Sequence, residues 1–273
     1  MELVRAFVLG VVQGLTEFIP VSSSGHLILI PALFDWPDQG LAFDAGLHGG
    51  TLLALLVYFQ GDWRRLLAGA WRSARGHGLA FNRYDPDGRL LALIVLGTVP
   101  VGVVGLVFND WVEENLRKVW IVTVSLAVVS LVMLAADRFG RRTRAVGDVS
   151  ARDAIFVGLA QTVALVPGVS RSGATICAGM ALGLDRHEAA RFAFLLGTPA
   201  FAGAALLAVV DLVQGNDFEF AEMALGFVTS AVVGLLAIGF LMRFLRTRTL
   251  IPFVAYRLAV VGAVAVIAAA RAG

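Results

Sequence analysis

The sequence predicts an all-α integral membrane protein with six full transmembrane helices and two re-entrant broken-helix hairpins in one membrane domain, residues 1–273. Three observations predict it. The chain is 58% hydrophobic and only 15% charged, with a mean hydropathy of +0.82. Soluble domains average about 45–50% apolar and about 25% charged residues, so a soluble fold has too few polar side chains to cover this much apolar surface. The apolar runs come in two lengths, full and half. The same order of runs then recurs in the two halves of the chain.

A bilayer core of about 30 Å requires roughly 20 apolar residues in a helix. Six segments meet that length: 41–59, 90–108, 119–136, 192–213, 221–242 and 251–270. Two regions do not. Residues 3–34 are broken by Gln13, Glu17, Pro20 and the run Ser22-Ser23-Ser24-Gly25-His26. Residues 154–184 are broken by Gln161, Pro167, Gly168 and Ser170-Arg171-Ser172-Gly173. Each apolar piece within these regions is too short to cross at about 1.5 Å rise per residue, so each pair reads as a hairpin that enters and leaves on one side. The N-terminal run Leu3–Val12 passes directly into Gln13, Thr16 and Glu17 without a small-residue cleavage site. It therefore reads as part of the first hairpin, not as a leader.

Each half is thus one broken hairpin followed by three spans: about 1–136, and about 150–273. Val21-Ser22-Ser23-Ser24-Gly25 matches Val169-Ser170-Arg171-Ser172-Gly173, and Gly14-Leu15-Thr16-Glu17 resembles Gly158-Leu159-Ala160-Gln161. Leu96-Gly97 and Val103-Val104-Gly105-Leu106 recur as Leu225-Gly226 and Val232-Val233-Gly234-Leu235. Three spans is an odd number, so the second half is expected upside down relative to the first. Paired broken helices in an inverted repeat point to a site near the membrane midplane.

Lys and Arg set the expected orientation. Of the 22, sixteen fall in 61–89, 137–153, 184–191 and 243–250; Arg5, Arg117, Lys118 and Arg271 fall on the other side, and Arg171 and Arg257 lie at depth. The richer side is expected to be cytoplasmic, with both termini outside. Runs such as Arg141-Arg142-Arg144 read as topology signals, with lipid head-group binding as the alternative. A net charge of +2 carries no nucleic-acid footprint, and the single cysteine, Cys177, excludes an intrachain disulfide or a cysteine-based zinc site.

Ionisable side chains at membrane depth are costly and are functional candidates for that reason. Gln13 and Glu17 share a helix face at i, i+4 spacing. Ser22, Ser23 and Ser24 can cap the half-helix that follows Pro20, whose free N–H groups suit an anion. Gly25 and His26 add a flexible backbone and an imidazole. The second hairpin carries Ser170, Arg171, Ser172, Gly173 and Thr175, and a guanidinium suits bidentate phosphate contact. Two helix N-termini converging with Arg171 read as a phosphate or pyrophosphate clamp. Glu17 and His26 add a carboxylate for base or metal-ligand work and a proton-transfer group. Packing alone is the competing reading for Ser24 and Ser172, and helix–helix hydrogen bonding for Gln13. Asp44 and His48, one turn apart, line a site mouth, or Asp44 caps the interface; Asp44 is also a metal candidate. Arg257 is a second phosphate contact facing the interior. Asp211 and Glu222 read as span-boundary residues.

At these residues the chain resembles undecaprenyl pyrophosphate phosphatases of the bacitracin-resistance family. The family's (Glu/Gln)-x-x-x-Glu motif stands as Gln13-Gly14-Leu15-Thr16-Glu17, followed by Phe18 through His26, and its Pro-Gly-x-Ser-Arg-Ser-x-x-Thr motif stands as Pro167 to Thr175. The likeness continues through Phe194-Leu195-Leu196, Pro199, Pro252-Phe253 and Tyr256-Arg257. The resemblance implies a bacterial inner-membrane hydrolase that removes the terminal phosphate of the C55 lipid. Such an enzyme recycles the carrier for peptidoglycan synthesis and confers bacitracin resistance. It also implies a divalent cation, Mg2+ or Ca2+, a site open to the outer face, and roles for Glu17, Ser23, His26, Ser170, Arg171 and Thr175. Gln13 takes the amide option, leaving Glu17 the motif's only carboxylate. A homodimer is compatible with these expectations. Ser23 activated by His26 or Glu17 is one nucleophile; a metal-bound water is the other. A flippase of a polyprenyl phosphate, alone or coupled to hydrolysis, is the alternative function, and a lipid-binding or bacitracin-sequestering protein a third.

Overall fold

The computed structural model describes residues 3–37, 40–78, 80–213 and 220–272, with the side chains of 41, 42, 109, 110, 113, 207–213, 271 and 272 left aside. Those residues form helices joined by short connections. The first hairpin is α1 (Leu3–Phe18) and α2 (Ser23–Leu33); α3 (Leu41–Tyr58), α4 (Gln60–His77), α5 (Pro86–Leu116) and α6 (Val119–Phe139) complete the first half. The second hairpin is α7 (Ala151–Val163) and α8 (Arg171–Ala181), followed by α9 (Arg186–Val213), α10 (Phe220–Phe244) and α11 (Ile251–Ala272).

Five described helices are long and apolar enough to cross a membrane: Pro86–Phe108, Val119–Phe139, Arg186–Leu206, Phe220–Phe244 and Ile251–Ala270. The remaining expected span, 41–59, corresponds to α3, a shorter apolar helix over Phe43–Tyr58. The outward faces are apolar, with Val103, Leu106 and Val107 on α5, Val124, Val128 and Leu131 on α6, and Val228, Val232 and Leu236 on α10 all exposed. Contiguous apolar surface of this extent requires a lipid or protein partner.

Three boundaries differ from expectation. The segment 61–89, expected as a loop, contains α4, with Asp62 in its first turn, Arg75 and His77 in its last, and Gly78 at φ 58° beyond its end. Those charges complement the helix dipole, and the glycine accepts the left-handed stop. The span expected from 90 begins at Pro86, because the Asp85 side chain caps Gly88 N at 2.7 Å and Pro86 has no N–H to lose. This bond to the backbone N–H holds the Asp85 carboxyl below its ordinary value. The span expected from 192 begins at Arg186, whose Nε donates to Asp137 at 2.5 Å and ties α9 to the end of α6.

Several basic residues counted as topology signals have local partners. Arg144 donates to Leu182 O (2.7 Å), Asp148 O (2.6 Å) and Asp153 (2.6 Å), and Arg191 pairs with Asp62 across α9 and α4. Asp211 lies where side chains are not described, and Glu222 is buried at the start of α10.

Packing is reciprocal between the halves. The first hairpin's α1 lies along α10 of the second half, and α7 lies along α5 of the first. Both contacts are made through small residues: Gly10 and Gly14 against Gly226 and Gly234, and Gly158 against Gly97. A Cβ on Gly14 would sit 2.8 Å from Gly234 N, so these helices meet backbone to backbone. This approach carries both hairpin tips into the interior.

Candidate active site

The two tips have one construction. Ser22 (φ 78°) caps α2 by accepting Gly25 N–H at 3.3 Å, and Ser170 (φ 77°) caps α8 by accepting Gly173 N–H at 3.1 Å. Both serines occupy the left-handed region, a strained conformation that the neighbouring packing must hold. Gly168 holds φ 92° before the second cap, and a Cβ there would come within 2.6 Å of Val122 O. Only glycine suits that turn. Each tip thereby opens a helix N-terminus with Ser23 in one case and Arg171 in the other as its first residue.

Glu17 is the centre of the first tip. Its Oε2 accepts from Gln13 Nε2 at 2.8 Å and from Ser23 Oγ at 2.5 Å, and His48 Nε2 stands 3.3 Å away. The opposite nitrogen, His48 Nδ1, lies 2.7 Å from Asp44 O. Both nitrogens of His48 thus face acceptors. The sequence put His48 at a site mouth; the structure puts it in contact with the carboxylate. Its signal was an imidazole one turn after Asp44 in a mostly apolar helix.

His26 turns elsewhere. Its Nδ1 is 2.7 Å from Ser22 O and its Nε2 is 2.9 Å from the Tyr256 hydroxyl. A carbonyl only accepts, so Nδ1 carries the proton and Nε2 takes the tyrosine's. The rings stack at 5.7 Å. Of the two groups expected to activate Ser23, His26 or Glu17, the structure brings Glu17 into hydrogen-bond contact with it.

Arg171 stacks its guanidinium 4.0 Å from the centroid of Phe201 on α9, within Coulombic reach of Glu17. Phe201 is a cation–π seat that holds the guanidinium while leaving its N–H donors for an anion. Ser172 Oγ donates to Glu17 O at 3.1 Å and stitches the two tips together; Ser170 Oγ lies 3.2 Å from it. Ser22 and Ser24 form the equivalent pair at 3.4 Å. Thr175 spends its hydroxyl on Arg171 O at 2.7 Å, fixing the helix turn that carries the arginine.

Two candidates are held by other partners. Arg257, expected as a second phosphate contact, is fully buried and donates to Gly168 O (2.9 Å), Ser130 Oγ (3.1 Å), Pro20 O (3.3 Å), Leu126 O (3.3 Å) and Val169 O (3.4 Å). Its donors close both hairpin breaks onto α6, where broken helices leave carbonyls without partners. Asp44, a metal candidate, pairs instead with Arg117 at 3.4 Å.

The residues present suit a hard divalent cation. Gln13 Oε1 is buried without a hydrogen-bond partner beside the Glu17 carboxylate and Ser23 Oγ. An all-oxygen set with a single carboxylate is the kind that Mg2+ or Ca2+ completes with substrate phosphate and water. Among the described residues no group of three or more His, Cys, Asp or Glu side chains converges, so an all-protein cage is absent there.

The family model for bacitracin resistance protein BacA matches residues 6–264. The chain belongs to the BacA family. Its relatives include undecaprenyl-diphosphatases of Rubrobacter xylanophilus, 46% identical over 97% of this chain and 98% of the relative, and of Alcanivorax borkumensis, 43% identical over 94% and 96%. That of Thermomicrobium roseum is 44% identical over 95% of each chain. With its apolar spans, this BacA-family chain is a multi-pass membrane protein.

Proposed function

We propose that the chain hydrolyses undecaprenyl pyrophosphate to undecaprenyl phosphate and inorganic phosphate, in keeping with its membership of the BacA family and the names of its relatives. The observation that carries the reading is the juxtaposition of Ser23 Oγ, 2.5 Å from Glu17 Oε2, with the Arg171 guanidinium from the opposite hairpin. A nucleophile bonded to a base beside a cationic anion seat is the constellation phosphoryl transfer needs.

In the mechanism, Arg171 and the N–H groups opening α2 and α8 hold the terminal phosphate. Glu17 takes the Ser23 proton as Oγ attacks the terminal phosphorus. The Oγ–P bond forms and the bond from that phosphorus to the bridging oxygen breaks, and undecaprenyl phosphate leaves. Water then attacks the phosphoserine phosphorus, the Oγ–P bond breaks as Glu17 returns its proton to Ser23 Oγ, and inorganic phosphate leaves. His48 holds Glu17 in place through the same Oε2 that receives Ser23. Gln13, Glu17 and Ser23 would hold a divalent cation, which supplies neutralisation of phosphate charge when bound.

The proposed setting is the cytoplasmic membrane of a bacterium, with the halves as inverted repeats, both termini outside and the site open to the outer face. The distribution of Lys and Arg supports that orientation. Purified protein in detergent is expected to release phosphate from undecaprenyl pyrophosphate and to trap a phosphoserine at Ser23 on rapid quenching. Full turnover by Ser23→Ala would transfer attack to water, and no release by folded wild-type protein would overturn the hydrolase reading.

A further inference from the structure

The amide of Gln161 has no role in the chemistry above, yet it occupies a costly place. Gln161 is 1% exposed in the last turn of α7, and neither its Nε2 nor its Oε1 has a hydrogen-bond partner. Its counterpart in the internal repeat is Glu17, through Gly158-Leu159-Ala160-Gln161 and Gly14-Leu15-Thr16-Glu17. Glu17 faces the first residue of the following half-helix, Ser23; the residue in Ser23's place in the second hairpin is Arg171.

The side chain also lies near the same ring as Arg171. A Cβ added to Gly197 would sit 3.6 Å from Gln161 Oε1 and 3.4 Å from Phe201 Cε2. Phe201 is the ring on which the Arg171 guanidinium rests at 4.0 Å, and His48 approaches it at 6.2 Å. The carboxamide oxygen and the Phe201 ring thus lie against the same position, Gly197.

We propose that Gln161 is a substrate-binding residue: its carboxamide donates Nε2–H to an oxygen of the pyrophosphate seated on Arg171. A buried amide with no partner destabilises a fold unless a ligand supplies one. An amide suits this position better than a carboxylate, because a second anion beside Arg171 would oppose the substrate's charge. The first half therefore presents the acceptor, Glu17, and the second half presents donors, Gln161 and Arg171. The inference rests on the hydrolase reading for its substrate class.

The test uses the purified full chain in detergent, with farnesyl pyrophosphate as substrate and methylenediphosphonate as a non-hydrolysable probe. Gln161→Met is expected to keep or raise the thermal midpoint, because it removes the unpartnered amide. It should also raise KM about 10- to 100-fold with a smaller change in kcat, the loss of a hydrogen bond to a charged group. Methylenediphosphonate should raise the midpoint of wild type more than that of the variant. Wild-type KM and equal stabilisation by the probe would overturn the proposal. If Gln161→Met does not fold, the isosteric Gln161→Glu decides: a KM raised more than about tenfold supports the proposal, and an unchanged KM refutes it. Wild-type protein that is stabilised by the probe but releases no phosphate would defeat the hydrolase reading and leave this binding role standing.

Discussion

The two hairpins share a helix cap and differ in charge. Ser22 and Ser170 cap their helices in the same left-handed conformation, with hydroxyl pairs Ser22–Ser24 and Ser170–Ser172 in matching positions. At the next position, however, the first hairpin has Ser23 and the second Arg171; in the last turn of the preceding helix, the first has Glu17 and the second Gln161. On the proposed reading the first tip holds a nucleophile and its base, and the second holds cationic and neutral donors. In the proposed mechanism, two similarly capped helix ends divide the labour between attack and charge stabilisation.

The sharpest way to break that comparison is to remove the charge that distinguishes each tip. Glu17→Gln is expected to lower kcat by about 10²- to 10⁴-fold, the usual worth of a positioned base. Arg171→Lys keeps the charge but loses the planar fork, and is expected to cost about 10²- to 10³-fold, in the range of one lost transition-state donor. Steady-state phosphate release measures both, and a loss of less than tenfold in either would remove that residue from its assigned role.

The next effect falls on the backbone the tips have in common. Arg257→Met leaves the carbonyls of Pro20, Gly168 and Val169 without their shared donor. At about 1–3 kcal/mol for each buried group left unsatisfied, the thermal midpoint should fall sharply. Activity should fall with it, and both tips should become accessible to cleavage by an added protease. A variant with wild-type stability and reduced phosphate binding would return Arg257 to the phosphate.

Smaller effects separate a cap from a site. Ser170→Ala removes a cap worth about 1 kcal/mol and should lower the midpoint modestly. The smallest expected effect lies outside the membrane, at Asp85. Its carboxyl lies below the ordinary value because it accepts Gly88 N–H. A folded value below the unfolded one means that its stabilisation is present at neutral pH and is lost as pH falls through the folded value. Asp85→Ala should therefore differ from wild type at neutral pH and converge with it on acidification.

Much of this was legible before the fold. Apolar run lengths located both helix breaks, because Pro and Gly interrupt the helices there. Charge at depth found Glu17 and Arg171, because a bilayer leaves few reasons to bury either. Partners were less legible. His48 and Phe201 come from α3 and α9, and no local spacing links them to Glu17 or Arg171. Arg257 misled for the opposite reason: a buried guanidinium suits a phosphate and a ring of carbonyls equally, and only the broken helices around it supply the carbonyls. The amphipathic α4 was hidden by its arginines, which read as a loop until Asp62, Arg75 and Gly78 are placed at the helix ends.

The claim that two hairpins make one site is tested most directly by a double-mutant cycle on kcat/KM with Glu17→Gln, Arg171→Lys and the pair together. Groups that act as a unit are strongly non-additive. The double variant is expected to lose little more than the worse single variant. Losses that multiply in full would mean that the tips act independently, and would contradict the account.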